Sequence, residues 1–421
     1  MSDILKRLRR MEYPRCAQSA LDRIESSLQA PNTEGSIPGL EEASEEMGEQ
    51  LAQEFIFCEV NSKGHHRPWL SAIQELQLMD LFVQRFSKAG YDRTAIFKVL
   101  FKDNSNPKKK ELMFKTVSMS IGVQCSPFLD ATASWMQSVG CSSDDALGLA
   151  HWLIQDYCVL VPGVMSVLQT LPSLSPHFTC NLITTLTMLY KPKGSKGKHK
   201  EVWLELLDLM MDWMQSDSQL CLISLSQAHM SHLQSQRSSL WTSPTKPNTQ
   251  TPIPGLVRWV TQAPLLSRRT ASAAENSSSG SKESAEETDS HQQSWSRLHL
   301  AVLHTIQSFP HLPGANQLEL ITLADMNRII REVVVLMKEI TGEKDLDGLS
   351  RYMSVNEDTA LQCSTHRLVQ ILQVALATGA FRCSLGDLQN IINSIPRNKL
   401  LDILQIQHLA RTPPPMHFEL R

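Results

Sequence analysis

A chain of 421 residues with 42% apolar content has material for a large core, two domains or an extended helical stack. Its formal net charge of -3 argues against a direct, general grip on nucleic acid, which draws on a basic excess. Nine cysteines without a CxxC pair and a start (MSDILKRLRRMEYPR) too polar for a signal peptide point to reduced thiols in the nucleus or cytosol, and the lack of a run of about 18 apolar residues predicts no membrane span.

A helical period of 3.6 residues recurs along the chain, and alternating strand patterns are hard to find. A basic opening stretch leads to a helix over Arg15 to Leu28, then a turn-rich loop over Pro31 to Leu40. Glu41 to Phe57 starts acidic and ends apolar, which suits the helix dipole and entry into a core. Pro68 opens a long helix with Ile73, Leu76, Met79, Val83 and Phe86 on one face. A shorter helix over Tyr91 to Phe101, the linker KDNSNPKKK and a helix over Leu112 to Val123 follow.

Ser126-Pro127 and Ser175-Pro176 each read as an N-cap followed by a first-position proline, whose missing N–H is harmless there. The first starts a stripe of Phe128, Ala131, Trp135 and Val139; the second starts Phe178, Leu182, Leu186 and Leu189. Between them lie a helix over Asp144 to Leu160, with Leu147, Ala150, Ile154 and Tyr157 on one side, and a short helix begun by Pro162. After the basic loop KPKGSKGKHK, Val202 to Met214 has an apolar face of Trp203, Leu206, Met210 and Trp213 opposite an acidic one. A weaker helix over Leu220 to Leu233, a connector over Thr242 to Pro254 and a short helix with Leu256, Trp259 and Val260 come next.

Arg268 to Ser294 has almost nothing to bury, so it reads as disordered. Beyond it run the stripes Trp295, Leu298, Val302, Ile306, Phe309 and Met326, Ile330, Val333, Met337, Ile340. Leu368, Ile371, Ala375 and Leu376 mark a further helix, and Leu388, Ile391, Leu400 and Leu404 lie on two short final ones. The whole predicts an all-α fold, an irregular HEAT/armadillo-like helical solenoid with short helix–helix connections. Four regions are expected: 1–267, an N-terminal helical-repeat region; 268–294, a disordered Ser/Glu-rich linker; 295–405, a C-terminal helical region; and 406–421, a flexible tail.

The sequence carries no motif that nominates a catalytic or ligand site. GSKGK at Gly194 to Lys198 lacks the spacing of a phosphate-binding loop and follows a helix, so it reads as a solvated basic loop. His65 and His66 are adjacent and cannot chelate from one helix face, and no zinc-type spacing occurs, so no metal and no cofactor is expected. Cys158, Cys180 and Cys221 fall on apolar stripes as small core residues. No nucleophile elbow or serine triad is nominated by spacing, so neither catalysis nor a small-molecule substrate is expected.

What remains is partner binding. Trp135, Tyr157 and Trp259 are candidate anchors, because aromatic side chains dominate binding hot spots, although the core is the commoner place for a tryptophan at helical spacing. Glu201, Glu205, Asp208 and Asp212 form an acidic face that suits a basic partner, against the commoner reading of a solvated face. The lysine runs at Lys108 to Lys110 and Lys191 to Lys200, with Arg268-Arg269, read as solvated loops or nuclear import signals, and Ser243, Thr251 and Thr412, each before a proline, as phosphorylation candidates.

Several blocks resemble a known family. AIQELQLMDLFVQRF (Ala72 to Phe86), ATASWMQ (Ala131 to Gln137), DYCVLVPG (Asp156 to Gly163), SPHFTCNLITTLTMLY (Ser175 to Tyr190), GLVRWVTQAPL (Gly255 to Leu265), LHLAVL (Leu298 to Leu303) and RLVQILQVALATGAFRCSLGDLQ (Arg367 to Gln389) are similar, in order, to the Integrator complex subunit 15 family. The KPKGSKGKHK loop and the stretch after Arg269 depart from it in length and composition. The resemblance implies a nuclear, non-catalytic helical scaffold whose partners are other Integrator subunits. It places the chain with subunits ten, thirteen and fourteen, linked to the core, in RNA polymerase II promoter-proximal termination and small nuclear RNA 3′-end processing. Without the resemblance, the same physics fits a cytosolic VHS- or armadillo-like adaptor that binds peptides in a helical groove.

Overall fold

The computed structural model describes residues 2–28, 46–60, 66–67, 69–88, 93–102, 106–160, 165–192, 200–238, 249–275, 284–356 and 358–411. By internal contact they divide into two compact units, Met1–Asn181 and Leu182–Arg421. The expected all-α class is the class observed. Many helices follow one another through connections of a few residues, and the strands among the described residues are two two-residue ladders. In one, β1 (Glu59–Val60) pairs antiparallel with β2 (His66–Arg67); in the other, β3 (Tyr190–Lys191) pairs parallel with β4 (Lys200–Glu201).

The first unit contains α1 (Ser2–Leu8), α2 (Arg15–Leu28), α3 (46–51), α4 (Ala72–Ser87), α5 (Arg93–Phe101), α6 (Pro107–Gly122), α7 (Ser126–Val139), α8 (Asp144–Ile154), α9 (Met165–Gln169) and α10 (Leu171–Leu174). α3 and α8 each run on into a π-helical turn, Ala52–Ile56 and Gln155–Leu160. Packing joins helices close in the chain: α4 to α6 and α7, α5 to α7, and α6 to α7 and α8. That is how stacked helical repeats bury their stripes.

Its core is aromatic. Phe86 and Phe128 stand 4.8 Å apart, Phe97 and Phe101 4.9 Å, and Phe97 and Phe128 5.4 Å, in tilted or edge-on pairs. Each such pair contributes about 0.5–1.5 kcal/mol beyond area burial. Arg85 of α4 pairs with both Asp22 and Glu25 of α2; Asp22 is open to solvent, and Glu25 is 5% exposed.

Local chemistry sets the helix starts. α4 opens at a capping box: the Ser71 hydroxyl accepts from the Gln74 N–H at 3.4 Å, and the Gln74 side-chain oxygen accepts from the Ser71 N–H at 2.9 Å. Pro68, the expected opener, lies outside the described residues. α6 begins inside the expected KDNSNPKKK linker. The Asn106 side-chain oxygen accepts from the Lys108 and Lys109 N–H groups, and Pro107 takes the first position. The face expected for α4 needs correction. Leu78, Met79, Phe82 and Phe86 are buried, whereas Ile73 and Leu76 stand out in solvent.

α11 (Pro176–Leu189) carries the division between units and is buried all round from Asn181 to Thr187. Two of its threonines satisfy their hydroxyls locally, Thr179 on the Ser175 carbonyl at 2.9 Å and Thr187 on that of Thr184 at 2.8 Å. The second unit continues with α12 (Leu204–Ser216), α13 (Ile223–Ser238), α14 (Ile253–Glu275), α15 (Ser284–Ser308), α16 (Leu323–Thr341), α17 (Leu346–Asn356), α18 (Thr359–Thr378), α19 (Leu385–Asn393) and α20 (Lys399–Arg411). α14 packs against α15, α16 and α18.

Three sequence expectations change here. The short helix expected around Trp259 is a helix of 23 residues with Pro264 inside it. The stretch 268–294 contributes the end of α14 and the start of α15, and 276–283 lie outside the described residues. Residues 406–411 of the expected tail belong to α20; 412–421, with Thr412, lie outside the described residues.

Candidate interaction surfaces

The residues nominated from sequence are mostly internal. Trp135 of α7 is 6% exposed, with its ring 6.4 Å from that of Phe97. Trp259 of α14 is fully buried; its indole N–H donates to the Tyr190 carbonyl at 3.2 Å, and its ring stands 6.2 Å from Trp295, edge-on. Tyr157 lies on the π-helical turn and donates its hydroxyl to the Ser118 carbonyl of α6 at 2.6 Å; burial pushes its phenol above the ordinary range. All three hold helices together rather than present a surface.

The acidic face is also redistributed. Glu201 sits on β4, before α12 begins, so it does not share a helix face with the others. Asp208 is half-buried and accepts from the Ser294 hydroxyl at 3.0 Å, which leaves Glu205 and Asp212 as the exposed carboxylates of α12. Cys180 and Cys221 are buried as expected, and Cys158 is half-buried on the π-helical turn. Most of the KPKGSKGKHK loop, His65 and Ser243 lie outside the described residues; Thr251 is half-buried ahead of α14. Among the described residues no cluster of His, Cys, Asp and Glu suits a metal ion, and no helix is long and apolar enough to cross a membrane.

Two features were missed by the sequence reading. The first is a cleft of about 510 Å³ in the second unit, where α14, α15 and α18 converge. Ala263, Pro264, Trp295 and Ala360 give it apolar walls, and an Arg268–Asp358 ion pair closes one side. A second hollow of about 410 Å³ shares Thr359, Cys363 and Arg367 with it and continues along the α15–α18 seam past His299 and Leu300.

Arg367 at the junction is a buried cation with a structural cause. Pro264 has no N–H, so the carbonyl of Val260, four residues earlier, loses its helical donor. Arg367 Nη1 supplies one at 3.0 Å, and Nη2 donates to the Ser296 hydroxyl at 2.9 Å. Ser364 adds a bond to the Thr261 carbonyl at 2.6 Å. Beside them, the His299 ring holds the Gln370 side chain at 2.9 Å, and burial keeps its imidazole below the ordinary range. Arg367 and Ser364 brace the backbone of α14, and Ala263, Pro264, Trp295 and Ala360 leave one apolar recess between the helices. A proline in an apolar helical pattern, with an arginine on another stripe, was the available signal.

The second feature is an apolar patch on the first unit. Trp69 is 41% exposed, Ile73 70% and Leu76 60%, at the start of α4. Ile73 and Leu76 lie on the outward face of α4 with Gln77, Asp80 and Gln84, while Leu78, Met79, Phe82 and Phe86 turn inward.

The comparisons decide the family. The family model for Integrator complex subunit 15 matches residues 2–397. The chain belongs to the Integrator complex subunit 15 family. Curated relatives of that description span nearly all of this family member. A Danio rerio protein is 30% identical over 425 residues, covering 98% of this chain and 82% of its own. A Mus musculus protein is 30% identical over 421 residues, covering 96% and 86%. A Drosophila melanogaster protein is 26% identical over 406 residues, covering 94% of each.

Proposed function

We propose that the chain is a non-catalytic scaffold subunit of the Integrator complex. In this reading it works in the nucleus and links the arm of subunits ten, thirteen and fourteen to the core. The processes it serves are promoter-proximal termination of RNA polymerase II and 3′-end processing of small nuclear RNA. The observation that carries the reading is the family match over residues 2–397, with relatives named as subunits of that complex across nearly the whole chain. The helical stack supports it physically: rigid helices present fixed surfaces, and a few anchors on them hold partners at set separations. On α12, Glu205 and Asp212 are exposed carboxylates available to a basic partner.

The test is affinity purification of the tagged chain from nuclei, with quantification of Integrator subunits, and measurement of unprocessed small nuclear RNA after its depletion. Recovery of subunits ten, thirteen and fourteen with accumulation of unprocessed transcript is expected. A purification that recovers no Integrator subunit overturns the reading.

A further inference from the structure

Arg367, in the cleft between α14, α15 and α18, carries a charge that its structural task does not need. Bracing the Val260 carbonyl takes one N–H, which a neutral amide could supply; Arg367 puts a full positive charge there, at 5% exposure. It donates to that carbonyl and to the Ser296 hydroxyl, and among the described residues no carboxylate pairs with it. The ionisable groups beside it are the Cys363 thiol and the His299 imidazole. Burial pulls its guanidinium below the ordinary range, as happens where the surroundings do not offset the desolvation of a cation. Asp358, the one carboxylate among the described residues that line the cleft, is already engaged. It pairs with Arg268 and caps α18, accepting from the Ala360 and Leu361 N–H groups at 3.1 and 3.2 Å.

Arg367 lines both the cleft and the hollow that continues along the α15–α18 seam. The same cleft, about 510 Å³, has the recess of Ala263, Pro264, Trp295 and Ala360, where three small residues leave room for a large apolar side chain. Ala360 and Arg367 are two turns apart on α18, about 10 Å along its axis, and an arginine side chain leans back toward the start of its helix. The recess and the unpaired cation therefore lie within reach of one short peptide segment.

We propose that this cleft docks an acidic linear segment of another Integrator subunit. One large apolar side chain of the segment fills the recess, and a neighbouring aspartate or glutamate carboxylate pairs with Arg367. Charge complementarity selects the carboxylate: one uncompensated cation, with Asp358 in the same cleft, suits a single negative charge better than a doubly charged phosphate. Nucleic acid fits less well. Trp295 is 5% exposed and leaves bases little ring to stack on, and one cation is a poor grip on a phosphate backbone. The inference rests on the proposed membership of the complex and adds the site and the chemistry of the partner.

The test uses the full chain expressed in nuclei with a photo-reactive benzoylphenylalanine in place of Thr359, which is exposed and lines both hollows. A crosslink to one segment of an Integrator subunit is expected. That segment is then made as a labelled peptide, with its carboxylates intact or converted to amides. Fluorescence anisotropy measures its binding to the purified full chain and to the variant Ala360→Phe, which fills the recess and leaves both Arg367 bonds in place. Binding should weaken about tenfold or more on conversion to amides, and likewise in Ala360→Phe. Circular dichroism melts check the fold of the variant; should it melt early, the acid and amide peptides on the unaltered chain decide alone. If the unaltered chain recovers no Integrator subunit, the membership reading fails and takes this inference with it. If subunits are recovered but position 359 crosslinks to none of them, or only to RNA or a second copy of the chain, this inference alone fails. An acid peptide that does not bind, equal affinity of the acid and amide peptides, or unchanged affinity in a folded Ala360→Phe also overturns it.

Discussion

The bond between Arg367 and the Val260 carbonyl gives the sharpest test of how the second unit is held together. Replacing Arg367 with Met keeps much of the side chain's volume and removes both donors. The Val260 carbonyl, which Pro264 cannot serve, is then buried without a partner, at a cost of about 1–3 kcal/mol. The Ser296 hydroxyl loses a donor as well. A double-mutant cycle separates the two losses. In a Pro264→Ala background, residue 264 has an N–H four positions beyond Val260, so the carbonyl regains a helical donor and Arg367→Met should harm less. The Ser296 loss is the same in both backgrounds and cancels. A coupling of about 1–2 kcal/mol is expected, within the range for residues sharing one acceptor. Urea unfolding of the full chain, followed through Trp259 and Trp295 fluorescence, measures it. Equal cost of Arg367→Met in both backgrounds would refute the assignment of Arg367 as the donor that replaces the missing N–H.

Three further outcomes follow from the packing. Arg85→Met should destabilise the first unit by about 3 kcal/mol, because Glu25 is left buried without its cation. Burial already pushes the Glu25 carboxyl up, so in that variant the loss should shrink as pH falls through the raised carboxyl range; thermal melts that stay parallel at all pH values would contradict this. The His299 imidazole is held below its ordinary range, so the native state binds fewer protons than the unfolded chain. Its contribution is present above about pH 6.5 and is lost on acidification, by at most about 1.4 kcal/mol per pH unit, and His299→Gln should flatten that part of the profile in urea titrations. Gly255→Ala should lower stability by about 1–3 kcal/mol, since a Cβ there overlaps the Thr187 hydroxyl where α14 crosses α11; an unchanged unfolding midpoint would show that the helices separate freely.

The helical period made most elements legible, and cap-plus-proline pairs located α7 and α11 to within a residue. The errors share a physical origin. Periodicity shows which residues can form a stripe but not at what angle a neighbour meets it. Hence Ile73 and Leu76 read as core with Met79, although they share the outward face of Gln77, Asp80 and Gln84 while Leu78, Met79, Phe82 and Phe86 turn inward. Composition made 268–294 look unable to order, yet its ends are extensions of helices whose apolar parts lie outside that window. Pro264 argued for a short helix, because the compensating donor sits on α18, far along the chain. The acidic face was drawn on one helix, but a two-residue ladder takes Glu201 out of it. Tryptophan and tyrosine were offered as anchors on residue type alone, and type does not distinguish a hot spot from a core.

The arginine that completes α14 also sets an order of events during synthesis. Its donor lies 107 residues after the carbonyl it serves. At about 5–20 residues per second, a ribosome needs on the order of ten seconds to deliver it. Throughout that interval the proline-bearing helix is without its brace. A product that terminates before Arg367 never receives one, and should be recognised by the cell's proteolytic machinery as unfinished even though most of its helices have already been made.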